Sequence, residues 1–194
     1  MYRSLPSLIA VLLLGTALGG FSAWSAIERA KDFGAIRVGP WHAISYSGIA
    51  EVDPYTIART VVDGSVPLGA TEGITFDATA DQGGKQLALE CDYVVEGITP
   101  SAKLWTLSAL DARGRPIEAA PGSNSGVYSG AILRFPDGSF RIDISRNPKS
   151  GNWIGVTGEG GFRLALRLYD TPLISTSGVS ELDMPTLRRE ACSS

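Results

Sequence analysis

The sequence has one histidine, two cysteines, two methionines and no marked excess of charge of either sign. A single histidine, His42, cannot supply a histidine-rich zinc site, and any serine–histidine–aspartate triad would have to be built around it. Standing after Trp41, it reads first as a structural or surface group. With 19% charged residues and a formal net charge of -3, no basic field is available to hold nucleic acid. No internal repeat or low-complexity tract interrupts the chain.

The usual ligand motifs are also missing. Gly155 to Gly160 has the spacing of a Walker loop, but Gly161 stands where lysine is needed and a strand pattern follows instead of a helix. Gly158-Glu159-Gly160 lacks the third glycine of a dinucleotide fingerprint, and Glu159 would repel phosphate. The cluster therefore reads as an inter-strand turn. Asp77 to Asp81 opens like a calcium loop, yet Gln82 replaces the turn glycine and Ala88 the final glutamate. Gly122 to Gly126 puts Asn124 where a nucleophile elbow needs serine. No metal or cofactor is expected.

What the sequence does have begins with an uncharged run, Leu8 to Ala23, inside an N-terminal segment of residues 1–27. At about 1.5 Å per helical residue, Leu5 to Ile27 reaches roughly 34 Å, enough to cross a hydrocarbon core of about 30 Å. The segment reads as an uncleaved anchor or as a signal peptide, since Ala23 and Ser25 also satisfy a cleavage site before Ala26. Either way the domain is exported. Residues 28–32 form a charged connector, and residues 33–194 form one domain. In an exported chain Cys91 and Cys192 suit one disulfide; the alternative is one buried and one frayed thiol.

Twenty-three glycines and eleven prolines spread among alternating apolar runs point to many short strands. A strand is expected to begin around Val38-Gly39-Pro40-Trp41, and others to lie over Gly73–Ala78, Leu87–Val95 and Lys103–Asp111, across a Val127–Ser145 hairpin turning at Pro136-Asp137-Gly138, from Gly151, and over Phe162–Leu168. Asp53 as an N-cap, Pro54 at the first turn and Gly64 past the end mark a short helix over Tyr55–Val62. Beyond Ile174 the periodicity fades into an extended tail. The fold expected is mainly β: a jelly-roll-like antiparallel sandwich with one or two short helices behind a transmembrane helix.

Several pieces in fixed order carry a resemblance. Asp53-Pro54-Tyr55-Thr56 with Ala58-Arg59, Leu68-Gly69 with Glu72-Gly73 and Phe76, Cys91-Asp92-Tyr93, and Lys103-Leu104-Trp105-Thr106-Leu107 come first. Gly151-Asn152-Trp153 and Leu166-Arg167-Leu168-Tyr169-Asp170-Thr171-Pro172 complete the set, and together they resemble domain-of-unknown-function family 1214 from about Phe33 to Cys192. The resemblance implies a β-rich domain of bacterial envelope proteins, one that often follows a family 1254 domain in a longer chain. Here it stands alone behind a membrane segment, so a function shared between the two domains would need a separate partner. No established activity comes with it.

Tyr55, Arg59, Glu72, Trp105, Trp153, Arg167, Tyr169 and Asp170 mix aromatic faces with charge, as a polar-ligand groove does. Their plainer reading is core tryptophans, paired rim charges and a strand corner. Glu72, Asp77, Glu90, Asp92, Glu96 and Asp170 lie on or beside strands, where two carboxylates could face each other, although alternation alone explains most of them. The functional expectation is a non-catalytic accessory module, held in the bacterial inner membrane by one span with its domain in the periplasm. It would bind an envelope protein or a glycan. The alternative is a hydrolase or lyase working through a carboxylate/tyrosine pair on a glycan or small molecule.

Overall fold

The computed structural model describes residues 4–29, 35–44, 72–174 and 182–192. The helix expected over Tyr55–Val62 lies outside them. One long helix, α1 (Ser4–Arg29), comes first. Ten strands follow among the described residues: β1 (Ala35–Val38), β2 (Trp41–Ile44), β3 (Gly73–Ala78), β4 (Cys91–Gly97), β5 (Leu104–Leu110), β6 (Gly126–Tyr128), β7 (Phe140–Ser145), β8 (Asn152–Gly155), β9 (Arg163–Tyr169) and β10 (Thr186–Cys192). A 3-10 turn, Pro172–Ile174, closes the corner after β9.

Within α1, Leu5–Ala26 is apolar enough to cross a membrane, and none of that stretch is buried in the protein. Its 22 residues correspond to about 33 Å of helix, matching a bilayer core.

The strands form two sheets. The larger runs β1-β2-β3-β9-β5-β6, the smaller β10-β4-β7-β8. Between these ten strands every pairing is antiparallel except β7 with β8. Period-2 alternation aims one face of each sheet inward, as in a sandwich. Ile74, Phe76 and Ala78 of β3, Trp105, Leu107 and Ala109 of β5, and Leu164, Leu166 and Leu168 of β9 supply one layer. Tyr93 and Val95 of β4, Phe140, Ile142 and Ile144 of β7, and Leu187 of β10 supply the other. The rings of Trp105 and Phe140 meet at 5.0 Å and those of Tyr93 and Phe162 at 5.6 Å, bridging the layers at opposite ends. Each fully buried aliphatic or aromatic side chain stabilises the fold by roughly 1.5–3 kcal/mol. The buried Trp41 indole donates to the Pro185 carbonyl at 2.7 Å, tying β2 to the segment that leads into β10.

Register defines two ends. At the lower end β3 and β5 begin while β9 and β6 finish, through the pairs Gly73·Tyr169, Leu104·Tyr169 and Thr106·Tyr128. In the smaller sheet the pair Gly97·Phe140 lies at that same end, since Phe140 stacks on Trp105. The upper end carries the turns around Asp81–Gly84 and Asp111–Gly114.

Local expectations fared unevenly. Gly73–Ala78 is a strand as read, but β4 begins only at Cys91; Leu87 and Leu89 are buried from the irregular segment before it. The turn at Pro136-Asp137-Gly138 forms, with Gly138 N–H donating to the Phe135 carbonyl at 2.9 Å. Its flanks do not pair as a hairpin: β6 joins β5 in the larger sheet and β7 joins β4 in the smaller. The expected tail is a strand, β10, with a bulge between Arg189 and Ala191. Cys91 and Cys192 are register partners there and are joined by a disulfide.

Candidate functional site

The six groove candidates that fall among the described residues do not all converge. Tyr55 and Arg59 lie outside the described residues. Trp105 faces inward and is 3% exposed, so it belongs to the core. Trp153 is half-buried on β8 in the smaller sheet, where its indole donates to the Ser145 carbonyl at 3.0 Å. Glu72, Arg167, Tyr169 and Asp170 do share a region, the lower corner of the larger sheet, where Gly73 pairs with Tyr169 and Thr75 with Arg167.

That corner is structurally clamped. Asp170 adopts φ 49°, the left-handed region, and its N–H donates to the Glu72 carbonyl at 3.1 Å. Buried Thr171 donates its hydroxyl to the Ser101 carbonyl at 2.7 Å. The Asp170 carboxylate lies 3.7 Å from Lys103 Nζ, with both side chains more than three-quarters exposed, a contact worth little in water.

The glycine cluster is pinned as a turn. Gly160 N–H donates to the Glu90 carboxylate at 2.7 Å, and that bond holds the Glu90 carboxyl below the usual glutamate range. Arg146 donates to the Gly158 carbonyl. Gly158 and Gly160 have φ of 98° and 92°, which side-chain-bearing residues rarely adopt. A carboxylate thus occupies the amide that a phosphate would need.

Two polar regions stand out instead. On the outer face of the larger sheet, Asp77 lies opposite His42 in the β2·β3 register, with Arg163 Nη1 3.9 Å from its carboxylate. Burial raises the Asp77 pKa, outweighing the opposing pull of Arg163, His42 and Arg167.

The second region is a cleft of about 440 Å³ on the outer face of the smaller sheet. Arg141 and Asp143 alternate along β7, so both point outward from the pleat. Arg141 Nη2 donates to Asp143 at 2.8 Å and to Glu190 at 2.9 Å, and these two carboxylates push the guanidinium pKa upward. Lys149 meets Asp92 at 2.9 Å and is likewise raised by it. Asn152 fixes one wall, accepting from Leu133 N–H at 2.7 Å and donating to the Leu133 and Arg141 carbonyls at 2.8 Å. Leu133 and Phe135, 69% and 51% exposed, form its apolar lip. The sequence reading missed this cleft, although Arg141-Ile142-Asp143 in an alternating strand was a signal for two outward charges. Among the described residues no group of three or more His, Cys, Asp or Glu is placed to hold a metal.

The family model described as "Protein of unknown function (DUF1214)" matches residues 72–173, from the entry to β3 through the corner after β9. The chain belongs to this family. Two solved structures resemble this DUF1214 chain. The VPA0106 protein from Vibrio parahaemolyticus has a TM-score of 0.57 and 20% identity over 71% of this chain and 35% of its own. A putative uncharacterized protein from Burkholderia cenocepacia has a TM-score of 0.43 and 17% identity over 89% of this chain and 41% of its own. The former likeness is one of fold alone, and the DUF1214 chain spans well under half the length of either relative. No curated protein matches it significantly.

Proposed function

We propose that this DUF1214 chain is a non-catalytic binding module of the bacterial cell envelope. In this reading α1 spans the inner membrane and the sandwich stands in the periplasm. The Cys91–Cys192 disulfide supports an oxidising compartment, and the length of α1 supports a span. The observation that carries the binding reading is the cleft on the smaller sheet: its carboxylates, Asp143 and Glu190, are held by Arg141. Such carboxylates order a surface and recognise polar groups. The ligand is an envelope protein, for example a separate family 1254 domain, or a glycan.

A photo-crosslinking residue at Ser150, on the cleft wall, tests this in intact cells, with one at Arg113 as control. A discrete protein or glycan adduct at Ser150 alone is expected. The same pattern at both positions, or none at either, overturns the reading.

One observation favours the hydrolase or lyase alternative: the raised pKa of Asp77, opposite the only histidine. Turnover of a glycoside or ester by the purified chain, lost in Asp77→Asn, would establish it.

A further inference from the structure

Apart from α1, five large hydrophobic side chains are exposed among the described residues: Ile98, Leu104, Tyr128, Leu133 and Phe135. All five sit at the lower end. Leu104 begins β5 and Tyr128 ends β6. Ile98 follows Gly97, the register partner of Phe140. Leu133 is bonded to Asn152, which pairs with Ile142 near the start of β7, and Phe135 N–H donates to the Ser139 carbonyl just before that strand. Among the described residues the upper end exposes no large hydrophobic side chain. Its turns are built on Asp81 and Asp111, whose carboxylates accept backbone N–H groups.

The membrane segment joins the sandwich from the same side. Ala35 pairs with Ile44, and β2 runs antiparallel to β3, so β1 is entered from the lower end. Six peptide steps separate Arg29 from Ala35, a reach of at most about 22 Å at ~3.6 Å per residue. An apolar end tethered that closely to a spanning helix has one surface always within reach.

We propose that the lower end docks on the bilayer that α1 spans, with these five side chains resting in the headgroup–acyl boundary. This rests on the reading of α1 as a membrane span. Apolar and aromatic groups gain by entering that boundary, and a tyrosine keeps its hydroxyl wet there. Lys103, 80% exposed on its side chain, stands beside Leu104, where its ammonium can meet lipid phosphate. The cleft then opens at headgroup level, with Leu133 and Phe135 as its membrane-side lip.

The test uses the full chain, oxidised so that the native cysteines stay bridged, in phosphatidylethanolamine–phosphatidylglycerol vesicles. An environment-sensitive fluorophore is placed at Phe135→Cys, at Leu133→Cys, or at Arg113→Cys on the upper end. Quenching by lipids with a shallow nitroxide is expected to be at least about 3-fold stronger at 133 and 135 than at 113, as for groups sunk about 5–10 Å into the interface. Carbonate extraction of the same vesicles separates the two failures. Release of the protein overturns the span and the docking with it. Retention with equal quenching at all three positions overturns the docking alone, and label-to-label energy transfer in that case assigns the patch to a second copy of the chain.

Discussion

Asp77 sits at the balance between two physical effects: desolvation favours its proton, while Arg163, His42 and Arg167 favour its charge. Because its folded-state pKa is raised above 3.8, its contribution to stability is fully present below the unfolded-state value and is lost as pH rises through the folded one. Asp77→Asn should therefore raise the thermal midpoint at pH 7, with the gain shrinking toward pH 3. Calorimetry across that range checks the sign; a gain that grows on acidification would contradict it. The sequence places Asp77 on a strand through simple alternation, but not its burial, which depends on neighbours from β2 and β9. The cleft was hidden for the same reason. Leu133, Arg141, Lys149 and Glu190 come from four segments that only the folded sheet brings together.

Single strands were readable where their own residues alternated without interruption. Phe162, Leu164, Leu166 and Leu168 announce β9, and GITFDA announces β3. β10 was not readable, because TLRREAC buries only Leu187 and Cys192 follows a bulge that shifts the period. Nor could periodicity show that the Pro136 turn leads from one sheet to the other, since partner choice is a long-range property. Between β3 and β9 the fit is close: a Cβ on Gly73 would lie 2.1 Å from the Leu168 carbonyl oxygen. That contact is with backbone, so no rotamer relieves it. Gly73→Ala should destabilise the domain by about 1–3 kcal/mol or more, read as a lower urea midpoint with an unchanged slope. It should also loosen the Tyr169–Asp170 corner, whose register partner is Gly73.

For the whole molecule, the arrangement that matters is a sandwich whose smaller sheet is finished by β10, a strand far removed in sequence from its partner β4. The disulfide closes a separation of 101 residues across that pairing. On the chain-entropy account a loop of this length stabilises by about 4–5 kcal/mol. Reduction should lower the unfolding midpoint accordingly and expose the amides of β10 and β4 to hydrogen exchange before those of β3 and β9. Uniform exposure of all four strands would show that the bridge supports the sandwich as one unit. With no third cysteine in the sequence, the bridge has only one pairing available. Cys91 emerges early and has no partner until β10 arrives, so oxidation seals the sheet in a single step and leaves nothing to reshuffle. In the proposed periplasmic setting the bridge needs only a thiol oxidant to form, because the two cysteines of the sequence offer no wrong intramolecular pairing for an isomerase to correct.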